Sequence, residues 1–256
     1  MSANAGKVYA AEMVPVSFCD FVSEPASVIF FSGCNFDCGY CQNWRLKKQL
    51  PEHLTDISAI KDALARNKLI SACKVTGGEP LLQLEPLIEL GRFARSIGLK
   101  FGIDTNGSMP DRLKQVLPLL DLVSLDIKAP FDLPAYSRVT GIPSPDMSSI
   151  KASLRLAVGS PSYLDVRMVV IPGYNDDLSM LATIDSELRS AGFSAKDESG
   201  MARLTIVEFL PENAHHPQFN VSRNPSVDLL QKVASRFAFK NVVITHRALG
   251  GCLRHE

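Results

Sequence analysis

The segment Gly33-Cys34-Asn35-Phe36-Asp37-Cys38-Gly39-Tyr40-Cys41 is the part of the chain best suited to chemistry. Its cysteines are spaced C-x3-C-x2-C, so one compact loop can aim three sulfurs at a common centre, as a thiolate-ligated metal or cluster requires. Three protein ligands are one short of a closed four-ligand site, and a vacant position is what a catalytic centre keeps for its substrate. Two other readings exist: buried cysteines that only pack, and a Cys3His zinc site. Zinc would need a histidine, yet His53 lies beyond Pro51, and His215 and His216 could approach only through the fold.

Further polar groups close apolar runs. Thr76-Gly77-Gly78-Glu79-Pro80, Asp104-Thr105-Asn106-Gly107 and Asp126-Ile127-Lys128 each follow such a run. Paired glycines let backbone approach a ligand closely, although Gly77-Gly78 is also what an ordinary turn would use. Arg167 interrupts the apolar run Val166–Ile171, and an arginine is expensive to bury unpaired, so a carboxylate partner is expected. The bland alternatives are a surface pair for Asp126 and Lys128 and a turn cap for Asp104.

These groups need strands and helices to position them. Candidate strands are Ser27–Ser32, Ile70–Thr76, Lys100–Thr105, Leu122–Ile127, Leu164–Ile171, Leu204–Leu210 and Val242–Thr245. Between them, apolar residues recur every three or four positions in Ile57–Arg66, Leu84–Ser96, Asp111–Leu119, Ser148–Val158, Ser179–Ser190 and Ser226–Phe237. Alternating strand and helix implies right-handed crossovers and a mostly parallel sheet, in a complete or partial barrel or an open doubly wound sheet. In each case ligands meet the carboxyl ends of the strands. Gly192 to Gly200 reads as an exposed loop, Cys19 and Cys73 as core residues, and Cys252 as an exposed thiol.

The chain has 256 residues, 46% hydrophobic and 21% charged, which excludes a disordered or fibrous protein. With 27 basic and 27 acidic residues it lacks the excess of a nucleic-acid-coating protein. Six cysteines are too few for a disulfide scaffold, and the N-terminus shows no signal peptide, so a soluble cytoplasmic protein without membrane contact is expected.

The pattern C-x3-C-x-aromatic-C after a strand resembles the radical S-adenosylmethionine (radical SAM) superfamily. The GGEP, DTNG and D-x-K segments, and Arg167–Gly173 followed by Asn175-Asp176-Asp177, resemble its glycyl-radical-enzyme activating enzymes. The resemblance implies an α/β fold, a partial (β/α)6-type TIM barrel with parallel strands, as a single domain over residues 1–256. Cys34, Cys38 and Cys41 would hold a [4Fe–4S] cluster whose fourth iron chelates S-adenosylmethionine. The reduced cluster would pass one electron to the sulfonium, giving methionine and a 5′-deoxyadenosyl radical that abstracts a hydrogen. Tyr40 would pack near the adenine, and Gly77, Gly78 and Glu79 would meet the methionine ammonium. Asp126 and Lys128 would contact the ribose or carboxylate, Asp104 and Thr105 would lie near the substrate or a bound cation, and Arg167 would face a ligand carboxylate. Asn43 could hydrogen-bond near the cluster, while Trp44 reads as a packing anchor.

Implied partners are an external one-electron donor of flavodoxin or ferredoxin type and a glycyl-radical enzyme. Two departures weaken the subgroup: Ser23-Glu24-Pro25-Ala26 replaces a usual Gly-Pro-Gly turn, and Leu210-Pro211-Glu212-Asn213 lacks the closely following histidine. They leave open a small molecule, nucleoside or peptide as substrate. A zinc-stabilised binding module is the alternative of another class.

Overall fold

The computed structural model describes residues 6–220, 223–247 and 251–254, the last four by their backbone. Contacts divide the chain into two compact units. The first takes the described residues of Met1–Asn35, Arg45–Thr105 and Met109–Ser124, and the second those of Phe36–Trp44, Asn106–Ser108 and Leu125–Glu256.

In the first unit, β1 (Lys7–Ser17) pairs antiparallel with β2 (Ala26–Phe31) and with the short β3 (Leu54–Asp56). Then α1 (Ile57–Arg66) leads to β4 (Ala72–Gly77), parallel to β2, and α2 (Leu84–Ser96) leads to β5 (Lys100–Thr105), parallel to β4. Val28, Ile29, Phe31, Cys73, Val75, Phe101 and Ile103 are fully buried, as expected of strands covered on both faces. The helical stripe Leu87, Leu90 and Ala94 is buried too, and burying a leucine contributes roughly 1.5–3 kcal/mol. Next, α3 (Pro110–Val116) precedes β6 (Leu122–Asp126), whose last two residues belong to the second unit.

The second unit continues with α4 (Leu133–Thr140), α5 (Met147–Gly159), β7 (Tyr163–Val170), α6 (Leu178–Ser190), α7 (Phe193–Glu198) and β8 (Ala202–Glu208). It ends with α8 (Pro217–Asn220), α9 (Val227–Ala234), β9 (Val242–His246) and β10 (Gly251–Arg254). Strands β7, β8 and β9 are parallel, while β10 returns antiparallel to β9. Asp132, Asp146, Asp177 and Ser226 cap α4, α5, α6 and α9 by accepting backbone N–H bonds, which satisfies donors the first helical turn leaves open. Among the described residues, no helix is long and apolar enough to cross a membrane.

The α/β class with mostly parallel strands agrees with the sequence. Some local expectations fail. An eleven-residue strand, β1, precedes the expected first strand; its Glu12 and Pro15 obscure the alternation, and it borders β2 antiparallel. The stretch Gly192 to Gly200 is not an exposed loop, because α7 fills it and buries Phe193 and Asp197. The Asp197 carboxylate accepts from the backbone N–H of Asn241 at 3.1 Å, so that helix is tied into the unit. Cys19 is exposed, since β1 ends at Ser17 and the thiol falls on the turn before β2. Cys73 is fully buried, as expected, and burial pushes its thiol up to about 12. The Cys252 side chain lies outside the described residues.

Candidate functional site

The cysteine loop leaves the end of β2, and its anchors can be followed on each side. In the first unit, the N–H of Gly33 donates to the Leu46 carbonyl at 2.7 Å and that of Cys34 to the Lys47 carbonyl at 3.0 Å. Gly33 sits at φ +98°, a backbone region that favours glycine. The paired glycines after β4 are explained by the chain itself. A Cβ on Gly77 would lie 2.1 Å from the Phe31 carbonyl oxygen, and one on Gly78 would lie 2.0 Å from that of Gly33. The N–H groups of Gly78 and Glu79 donate to those same carbonyls, both at 2.8 Å. The GGEP turn is therefore clamped to the start of the cysteine loop.

Glu79 is buried; its carboxylate accepts from the Leu81 N–H at 3.1 Å and from the Thr105 hydroxyl at 2.9 Å. Asp104, one residue before Thr105, pairs with Lys74 at 2.6 Å. Lys74 is 1% exposed and also donates to the Asp20 carbonyl at 2.7 Å. Thus the predicted Gly77, Gly78, Glu79, Asp104 and Thr105 form one network with the loop that carries Cys34. Lys74 was not among the expected site residues, although a lysine inside the apolar run Ala72–Val75 was the signal for it.

In the second unit, the Asp37 N–H donates to the Thr140 carbonyl at 3.0 Å, and Gly141, at φ +69°, has no room for a Cβ because the Asp37 carbonyl would be 2.4 Å away. Gly39 accepts from the His216 N–H at 3.2 Å, and a Cβ there would meet Phe219 at 2.8 Å. Tyr40 is buried edge-on to Phe209 and Phe219, with ring centroids 6.4 and 6.0 Å away. The Lys128 ammonium lies 5.9 Å over its ring and 2.9 Å from Asp126. Desolvation alone would lower the Lys128 pKa, but Asp126, Tyr40 and Cys38 outweigh it and hold the ammonium well above its ordinary range. Burial likewise pushes the Cys41 thiol up, opposed by Lys128 and by a hydrogen bond from the Asn43 backbone. Tyr40, Asp126 and Lys128 therefore share one charged neighbourhood with Cys38 and Cys41.

Arg167 is half-buried on β7, and its carbonyl accepts from the Ile127 N–H at 2.9 Å. Asn175, fully buried, joins the ends of β6 and β7: its amide donates to the carbonyls of Lys128 (3.0 Å) and Val169 (2.8 Å), and its oxygen accepts from the Ile171 N–H (2.8 Å). Trp44, read as a packing anchor, is 37% exposed and stacks on His215 at 5.6 Å. The displaced histidines of the 210–216 segment are thus placed: one stacks on Trp44, and the other bonds the cysteine loop.

The model of the Radical SAM superfamily matches residues 28–183, well over half of the chain and the whole stretch from β2 into α6. The chain belongs to the radical SAM superfamily. A Methanocaldococcus jannaschii protein, provisionally named a glycyl-radical enzyme activating enzyme, is 26% identical over 246 residues, 93% of this chain and 96% of that protein. A pyruvate formate-lyase-activating enzyme of Clostridium pasteurianum is 34% identical over 45% of this chain and 50% of its own length. Among solved structures, a radical SAM methyltransferase from Sphaerobacter thermophilus has a TM-score of 0.63 at 16% identity, covering 86% of this chain and 67% of that one. A domain of a pyruvate-formate lyase-activating enzyme from Bacteroides vulgatus has a TM-score of 0.54 at 18% identity, covering 69% and 99%. These two likenesses show the shared fold.

The cofactors of a radical SAM enzyme are a [4Fe–4S] cluster and S-adenosylmethionine. The donor set fits the cluster: three cysteines outside any disulfide on one eight-residue span, Cys38 buried and Cys34 and Cys41 half-buried. Among the described residues, no three His, Cys, Asp or Glu side chains are grouped about a single metal ion. A four-iron cluster gives each thiolate its own iron, so its sulfurs have no need to converge on one point.

Proposed function

We propose that this radical SAM enzyme is an activating enzyme that abstracts a hydrogen from a glycine of a partner glycyl-radical enzyme. The observation that carries this reading is the correspondence with the Methanocaldococcus jannaschii protein along nearly the whole of both chains. When bound at Cys34, Cys38 and Cys41, the cluster would supply the one-electron reducing power for cleaving S-adenosylmethionine, the chemistry from which hydrogen abstraction would follow.

The protein's residues bind, orient and shield. Cys34, Cys38 and Cys41 would hold the cluster. Gly77, Gly78 and Glu79 would receive the methionine end, with Glu79 held in place by Thr105 and the Leu81 N–H. Asp126 and Lys128 would take the ribose or carboxylate, Tyr40 would lie against the adenine, and Arg167 would meet a carboxylate. Asp104 would border the substrate with its charge already balanced by Lys74. The rings of Phe209 and Phe219 around Tyr40 exclude water, which limits quenching of a reactive species.

The test is anaerobic. Reconstituted protein should carry about four irons and four sulfides per chain. With dithionite and S-adenosylmethionine it should form 5′-deoxyadenosine, and with a glycyl-radical enzyme from the same source it should give a doublet electron-paramagnetic signal. Replacing Cys34, Cys38 or Cys41 by Ala should abolish cleavage. A colourless protein holding one zinc would refute the cluster reading. Formation of 5′-deoxyadenosine without a doublet from any such partner favours a small-molecule substrate. That second reading draws on a 7-carboxy-7-deazaguanine synthase of Methanopyrus kandleri, 32% identical over 43% of this chain and 52% of its own length.

A further inference from the structure

The cluster must be reduced, and the 256 residues contain no second closely spaced cysteine set: beyond the triad stand Cys19, Cys73 and Cys252. Electrons therefore enter through a surface. Immediately after the cysteine loop runs Arg45-Leu46-Lys47-Lys48, three cations in four positions within a chain of 27 basic and 27 acidic residues. Arg45 and Lys48 are exposed and Lys47 is half-buried. The same segment is fastened to the first cysteine, because the Leu46 and Lys47 carbonyls accept the N–H groups of Gly33 and Cys34 at 2.7 and 3.0 Å. Gln49 closes the join, its side chain lying where a Cβ on Gly33 would come within 3.0 Å.

We propose that the strip Arg45–Lys48 is the docking surface for an acidic, soluble one-electron-donor protein, which it holds one backbone hydrogen bond from the Cys34 ligand. The inference rests on the reading that Cys34 holds the cluster. In the transfer the donor loses one electron and the cluster gains it, and no bond or proton moves. Complementary charge serves two ends here. It raises the encounter rate of an acidic partner by about 10–1,000-fold at low salt, and it orients that partner's redox centre toward the loop.

The holoenzyme with Arg45→Glu and Lys48→Glu, both exposed positions, tests the surface. Cluster bleaching at about 400 nm is followed by stopped flow with a reduced acidic flavodoxin, and separately with photoreduced 5-deazaflavin, a small reductant with no docking requirement. The expected result is a second-order rate with flavodoxin at least about 10-fold below wild type at low ionic strength, with the gap closing near 1 M salt, where charges are screened within about 3 Å. The rate with deazaflavin should be unchanged. Equal flavodoxin rates for both proteins, or no reduction of wild type by flavodoxin, overturn the docking surface. Failure of deazaflavin to reduce wild type instead overturns the cluster reading itself. An Arg45→Lys variant should keep the wild-type rate, which separates charge from loop geometry.

Discussion

Replacing Lys74 by Met tests whether the network under the DTNG and GGEP turns is electrostatic. Met keeps the length and apolar volume of the lysine stem, so the perturbation is the loss of an ammonium that is 1% exposed. That ammonium lies 2.6 Å from an Asp104 oxygen and 2.7 Å from the Asp20 carbonyl. At an effective dielectric of about 20, two unit charges at that separation attract by roughly 6 kcal/mol before desolvation is subtracted. Asp104 is 19% exposed, so water compensates only partly once the partner is gone. The expected cost is about 3–5 kcal/mol, the range for breaking a buried pair. With a urea slope of about 3 kcal/mol/M this moves the midpoint of cluster-free protein by about 1–2 M. Adding Asp104→Asn should recover most of the loss, because removing both charges is often nearly neutral, giving a coupling of about 2 kcal/mol or more. A single variant within about 1 kcal/mol of wild type, or a double variant no better than the single, refutes an electrostatic role for the pair.

Other outcomes follow from contacts equally specific. Gly78→Ala forces a Cβ to within 2.0 Å of the Gly33 carbonyl oxygen, so the turn must part from the cysteine loop and iron retained after reconstitution should fall severalfold. Asn175→Ala strips partners from the Ile171 N–H and from the Lys128 and Val169 carbonyls, a loss of about 2–4 kcal/mol by urea denaturation. Trp44 is the single tryptophan, so His215→Ala should alter its emission directly; an unchanged spectrum would contradict the stack. At the start of α5, hydrogen bonds from the Ser148 and Ser149 hydroxyls and N–H groups hold Asp146 at about 2. Because its folded value is depressed, the cap's contribution is present above about pH 4 and lost as pH falls through about 2, whereas an Asp146→Ala protein should lack that acid-side dependence. Helix content against pH for both proteins measures the difference.

Several elements were legible in the sequence for simple physical reasons. The helices Ile57–Arg66 and Leu84–Ser96 and the strand Lys100–Thr105 lie where the pattern puts them, since a stripe at three and four residues or a short apolar run leaves few alternatives. The cysteine spacing likewise placed three thiols on one loop; the family and cofactors came from the resemblance of that motif to radical SAM enzymes, which the match over residues 28–183 bears out. Strand β1 was not legible, because an antiparallel strand with mostly half-exposed residues has no clean alternation. Nor was α7, six residues between two glycines whose helix depends on packing of Phe193 and on Asp197 accepting N–H groups from distant Lys240 and Asn241.

Local spacing by itself determined which donors the chain could offer: ligand count, turn residues and helix caps are properties of neighbours a few positions apart. Only the tertiary structure decided what holds them. It alone showed that Gly77 and Gly78 make room for the chain's own carbonyls, that Lys74 balances Asp104, and that Asn175 ties two strand ends together. These partners are from 6 to 47 positions apart in sequence, and no periodicity encodes such a distance. They meet because burying polar groups is costly unless each finds a complement, and that condition acts on the folded chain as a whole.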